Sequence, residues 1–231
     1  MTSSPTDAPA RLVALEDAIG EACRRAGRAR ESVKLLAVSK EQPLASINDL
    51  VAAGLRVFAE NKVQALAERI ATVDRASELR WHMIGPLQSN KAKDIARLRP
   101  ALVHTIDRVS LINALAARWD APTPLSVCIQ VNMDGETQKA GCRPSELEAL
   151  VDHVMGTDKL LLKGLMAIPA PDGDASLRRA FGGLRELGGT IADRVEGPVE
   201  LSMGMSDDFA LAIAEGATMI RVGSALFGPR S

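Results

Sequence analysis

A lysine at the end of a short apolar run is the first residue in this chain that could do covalent chemistry. Leu35-Leu36-Ala37-Val38-Ser39-Lys40 reads as a buried strand that ends on Lys40. An ammonium is costly inside a strand but tolerable at its exit, where partial desolvation lowers its pKa. That leaves some free amine near neutral pH, and a free amine attacks carbonyls to form an imine. Two later stretches look suited to an anion. In Ser202-Met203-Gly204-Met205-Ser206, Ser206 reads as the N-cap of the next helix, with its hydroxyl and the helix amides turned to one side. In Arg221-Val222-Gly223-Ser224, the glycine lets backbone N–H groups approach a ligand and the serine adds a donor. Arg221 lies two residues before Gly223, on the same strand face, so its guanidinium reaches toward whatever Gly223 holds.

These residues need a scaffold that brings them to one rim. Residues 1–9 are rich in Ser, Thr and Pro and are expected to be disordered. Leu12, Leu15, Ile19 and Cys23 recur at helical spacing, which predicts an amphipathic helix over 10–25. Strand and helix signals then alternate, with strands expected at 35–40, 55–59, 80–84, 101–106, 125–131, 160–168, 199–203 and 218–222. Eight such units behind one extra N-terminal helix predict a single-domain (β/α)₈ TIM barrel over 10–231. An open doubly wound sheet is the rival, because alternation alone does not say whether the sheet closes. In a barrel, active residues come from the C-terminal ends of the strands, and phosphate sits after strands seven and eight. That rule selects Lys40, Glu60 and Asn61, His82 to Gln88, Asn132, Met166 to Pro169, Ser202 to Ser206 and Arg221 to Ser224, and it sets Lys163 aside as early in its strand. A lysine and a phosphate cradle on one rim fit two ligand classes, a phosphosugar or pyridoxal 5′-phosphate (PLP). An arginine facing the PLP ring nitrogen disfavours its protonation, since two cations would meet. Arg221→Glu is then expected to protonate the ring and to raise turnover.

Bulk properties narrow the function. A net charge of −1 gives no general electrostatic reason to bind nucleic acid or an anionic membrane, and Arg24, Arg25, Arg28 and Arg30 read as a solvated face. Cys23, Cys128 and Cys142 have neither metal-type nor redox-type spacing, and their odd number argues against a disulfide framework. With no secretory pattern at the N-terminus and no apolar run long enough to span a bilayer, the expectation is a cytoplasmic protein. The chain contains no tyrosine, which excludes any mechanism needing a phenol of its own.

Six blocks in order carry a family resemblance: Ala37-Val38-Ser39-Lys40, Glu60-Asn61, Trp81 to Lys91, Gly164 to Pro169, Leu201 to Ser206, and Arg221 to Gly228. Together they resemble the pyridoxal phosphate homeostasis proteins. The resemblance implies a barrel like the N-terminal domain of alanine racemase, with PLP as cofactor on Lys40 and no established turnover. It implies that Ser206, Gly223 and Ser224 hold the phosphate, that Arg221 faces the ring nitrogen, and that Asn61 and Met166 line the pocket. Apo-enzymes that accept PLP are the implied partners, and a monomer is expected because the chain carries no C-terminal β domain of the racemase kind. The alternative is a PLP-dependent racemase or lyase, in which His82 or Cys128 would replace the missing tyrosine. Two positions depart from the family pattern: Ala59 where glycine is usual, and Lys62 where an aromatic is usual.

Overall fold

A computed structural model describes residues 7–136 and 138–228. The chain starts with helix α1 (Ala8–Arg25), two residues earlier than expected. Pro9 sits in its first turn, where a missing N–H costs nothing, so Ala8 and Pro9 are helical and not disordered. The rest of the expected disordered stretch, 1–6, lies outside the described residues. Eight strands follow: β1 (Lys34–Val38), β2 (Val57–Glu60), β3 (Arg80–Met83), β4 (Leu102–Ile106), β5 (Leu125–Gln130), β6 (Leu160–Met166), β7 (Glu200–Ser202) and β8 (Met219–Val222). Between them run α2 (Leu44–Ala52), α3 (Val63–Thr72), α4 (Ala92–Leu98), α5 (Val109–Ala116), α6 (Leu147–Met155), α7 (Asp174–Thr190) and α8 (Phe209–Ala214). Among the described residues, β8 is followed by the short α9 (Ser224–Phe227).

All neighbouring strands pair in parallel, and β8 pairs with β1 through Lys34↔Met219 and Leu36↔Arg221, so the sheet closes. This rejects the open-sheet rival. Strand alternation sorts the side chains into two cores. Leu36, Ala59, Leu102, Cys128, Met166 and Met219 fill the barrel, while Leu35, Ala37, Phe58, Val103 and Ile220 pack outward under the helices. Helix α1 packs against α8, α9 and α2, and its buried stripe is the expected Leu12, Leu15, Ile19 and Cys23. It thus covers the seam between the last and first units, where the four-residue α9 is too short to do so. The arginines at and after its C-terminal end divide, with Arg24 and Arg25 on the expected solvated face and Arg28 and Arg30 partly buried. Arg24 and Arg25 pair with Glu21, Arg30 pairs with Glu16, and Arg28 donates to the Ile213 carbonyl.

Two irregularities re-aim residues. Register shifts insert one extra residue in β4 between Val103 and Ile106, and one in β6 opposite the step from Val127 to Cys128. The second bulge leaves Gly164 against β7. A Cβ there would lie 1.9 Å from the Glu200 carbonyl oxygen, at a backbone φ of +153°. Gly164→Ala is therefore expected to cost upwards of about 4 kcal/mol, since backbone and not a flexible side chain blocks the new atom. Calorimetry should show melting lowered by roughly 10 °C or more for a chain of this size. An unchanged melting temperature would contradict the close approach of β6 and β7.

Candidate cofactor site

Strand β1 ends at Val38, so Lys40 stands in the turn beyond the strand and not on it, at the C-terminal rim of the barrel. That turn is clamped from both sides. The buried Ser39 donates its hydroxyl to Glu60 Oε1 at 2.7 Å, and Arg69 Nη2 donates to the Gln42 carbonyl at 2.7 Å. Arg69 also lies 3.6 Å from Glu60 Oε1, so one acid and one base hold the residues flanking Lys40. Burial pushes the Glu60 carboxyl above its ordinary pKa, against the opposing pull of Ser39 and Arg69. Immediately after Lys40 the backbone takes the left-handed region at Glu41, with φ +60°, uncommon for a non-glycine residue.

The other rim residues are placed by β2, β6, β7 and β8. Asn61 is half-buried just past β2, and Gly85 lies flat on its backbone, since a Cβ on Gly85 would meet the Asn61 carbonyl oxygen at 2.0 Å. Met166 ends β6 fully buried inside the barrel. Gly223 lies beside β1, with room for a Cβ only 3.4 Å from the Val38 carbonyl oxygen, two residues before Lys40. Ser206 is not the helix cap that the sequence suggested. Asp208 takes the N-cap position of α8, and its carboxylate accepts the Met205 N–H. Ser206 lies in the turn before it, where its hydroxyl accepts the Ala225 N–H at 3.4 Å. That bond joins the loop after β7 to the first turn of α9, next to Ser224, so Ser206 serves the start of α9 and not that of α8. Lys62 is exposed at the start of α3.

Arg221 is 3% exposed and points into the barrel. Its Nη1 donates to the Ser202 carbonyl at 2.6 Å and to Ser202 Oγ at 2.8 Å, and its Nη2 donates to the Ala167 carbonyl at 2.9 Å. Burial lowers its pKa to about 10, which still leaves a cation at neutral pH. Among the described residues no carboxylate pairs with it, so it is not the structural salt bridge that a buried arginine could have been. Three of its five N–H groups are used in holding it, and the rest are available to a ligand.

From Arg221 a chain of buried polar groups runs down the barrel axis. Ser202 Oγ lies 2.8 Å from His104 Nδ1, and His104 Nε2 lies 2.9 Å from His82 Nδ1. Sequence reasoning missed His104, which looks like any polar residue of a buried strand. His82 is bonded within this chain through Nδ1 alone, and Cys128 is core, its thiol pushed up by burial. Burial, reinforced by Arg80 and Lys34, lowers His82 to about 3. Burial also holds His104 well below the ordinary value of 6.5. Both histidines are therefore neutral when folded and take up protons only on unfolding. Their contribution to stability is complete above about pH 6.5 and is lost as pH falls below it, toward about 3 for His82, with a slope of up to about 1.4 kcal/mol per pH unit for each. Urea titrations across that window should show this slope, and His82→Gln should flatten it by about one proton. An unchanged slope would mean that His82 is not buried as a neutral ring.

The arrangement is that of a small class of parallel barrels. The family model described as alanine racemase, N-terminal domain, matches residues 14–231. Alanine racemase from Corynebacterium glutamicum superposes with a TM-score of 0.70 at 16% identity, covering 93% of this chain and 62% of that one, a likeness of fold alone. Within that class, the pyridoxal phosphate homeostasis protein of Pseudomonas aeruginosa is 47% identical over 215 residues, 92% of this chain and 91% of the relative. The structure of PipY from Synechococcus elongatus with PLP bound matches with a TM-score of 0.80 at 34% identity, over 96% of this chain and 100% of that one. This chain belongs to the pyridoxal phosphate homeostasis protein family.

Proposed function

We propose that this protein binds pyridoxal 5′-phosphate at the C-terminal rim of the barrel, covalently on Lys40, and holds and releases it without turning over a substrate. The observation that carries the reading is the PLP-bound structure of PipY, similar over nearly the whole chain. Bound PLP supplies an aldehyde that a lysine amine can take up and a ring that serves as an electron sink when its nitrogen is protonated. The residues here fit that ligand. Gly223 leaves the space beside β1 that a side chain would narrow, and Ser206 and Ser224 gather on the same corner. Arg221 offers its remaining N–H groups as donors in the barrel mouth, so a ring nitrogen facing it keeps its lone pair and not a proton. Asn61 and Met166 wall the pocket from β2 and β6.

The carrier reading is favoured over a racemase or lyase by what could serve as a second base. The chain has no tyrosine, Cys128 is sealed in the barrel with its thiol protonated, and His82 is turned toward the opposite mouth. Among the described residues no helix is long and apolar enough to cross a membrane. The net charge of −1 argues against nucleic acid as a partner. Exposed large apolar side chains are spread over Val13, Leu44, Met155, Ile168 and Met205, which favours a monomer. The natural partners are then cytoplasmic apo-enzymes that accept PLP. The test is to load the purified protein with PLP, look for a visible band abolished by borohydride, and assay conversion of L-alanine to its D form. A band without conversion supports the carrier. Steady conversion supports the racemase, and absence of any band refutes both.

A further inference from the structure

The opposite end of the barrel holds a cavity that the cofactor reading leaves unused. It has a volume of about 260 Å³ and is lined by Lys34, Arg80, His82, Ser126, Lys163 and Glu200. Its charges do not cancel. Glu200 is spent on Lys34, which donates to its Oε1, and on Thr218, whose hydroxyl donates to its Oε2 at 2.6 Å. Arg80 and Lys163 have no acidic partner among the described residues. Lys163 reaches this mouth because of the bulge in β6, which sets one extra residue opposite β5.

His82 forms the inner wall of the cavity and is 4% exposed. Its Nδ1 is taken by His104, and its Nε2 has no partner among the described residues. The chain above it decides what that nitrogen offers. Ser202 Oγ accepts from Arg221, and its own hydrogen has one available acceptor, Nδ1 of His104. With Nδ1 accepting, a neutral His104 carries its proton on Nε2 and donates to His82 Nδ1. His82 then carries its proton on Nε2, aimed at the cavity. In the opposite order the Ser202 hydroxyl hydrogen would be buried without an acceptor, which costs about 1–3 kcal/mol. The cationic Arg221 thus fixes a donor at the far end of the barrel, through two neutral histidines and a serine.

We propose that this N-terminal mouth is a second binding site, built for a small oxyanion (a carboxylate or a phosphoryl group). Arg80 and Lys163 attract the anion at the entrance, and the Nε2–H of His82 binds it from within. A neutral, buried donor facing two unpaired cations has no use for a metal ion or an amine and suits an oxygen acceptor. The site needs no PLP, so it stands or falls apart from the function proposed above.

The chain has three histidines, and His153 on α6 is exposed, bonded to its own helix through the Ala149 carbonyl. Histidine-detected ¹⁵N NMR of the full chain without PLP therefore carries its own control. Titration with inorganic phosphate and, separately, with acetate should shift the His82 nitrogens saturably with at least one of them, and leave His153 unmoved. The anion that binds more tightly identifies the phosphoryl or the carboxylate as the group the site takes. Arg80→Ala with Lys163→Ala should weaken that binding by about tenfold or more, whereas Arg97→Ala with Arg118→Ala should not. If the first pair fails to fold, Lys163→Gln alone must weaken binding. No shift of His82 with either anion would overturn the proposal, as would equal shifts of all three histidines or equal binding by the two double variants.

Discussion

Lys40→Ala is expected to give a folded barrel that retains PLP at least about 100-fold less tightly, a loss of roughly 3 kcal/mol or more, and shows no borohydride-sensitive band. The fold should survive because Lys40 lies beyond β1, half-buried, and takes no part in the sheet or in either core. The clamp of Ser39, Glu60 and Arg69 acts on its neighbours and not on its side chain. Residual affinity should come from the phosphate corner and from Arg221, both untouched by the substitution. Equilibrium dialysis with circular dichroism separates the two effects. Wild-type retention by the variant would mean that the covalent link lies elsewhere, with the exposed Lys62 the first alternative.

Arg221→Glu is expected to lose structure before it gains chemistry. Sequence reasoning alone pictures the new carboxylate beside a ring nitrogen, protonating it and raising turnover. The structure shows what else the guanidinium does: it donates to two carbonyl oxygens and one hydroxyl in a fully enclosed position. A carboxylate there would face the Ser202 and Ala167 oxygens with no hydrogen to give, an uncompensated buried charge that costs about 3–5 kcal/mol. Thermal melting should fall by roughly 10 °C, with PLP retention lost. Arg221→Gln, which keeps donors and removes the charge, should fall less. If Arg221→Glu melts like the wild type, its side chain must leave the barrel, and the hydrogen-bond chain to His82 is not as described.

Much of the fold could be read from the chain because each strand is a short apolar run closed by polar or glycine residues, and each helix repeats its apolar positions. The rim residues followed from the rule that barrels work at the C-terminal ends of their strands, which is how Lys40, Arg221, Gly223 and Ser224 stood out. What could not be read has a common cause, dependence on partners distant in sequence. His104 bonds to Ser202, 98 residues away, and nothing local marks it. Ser206 reads as a cap because Asp208, two residues on, competes for the same role, and only the path of the loop decides between them. The bulges in β4 and β6 reverse which face a residue takes, and Gly164 is the lone local sign of the second. The spacing in α1 marked an amphipathic helix but could not say that it stands in for the short α9.

The central claim is that Lys40 holds PLP at the rim where Arg221, Ser206, Gly223 and Ser224 meet. Its most direct test is to load the protein with PLP, reduce with borohydride, digest, and locate the pyridoxyl group by mass spectrometry. The account predicts the group on Lys40, stoichiometric and absent from Lys62 and Lys163. A stoichiometric label on any other lysine, or none at all on a protein that still binds PLP, would contradict it.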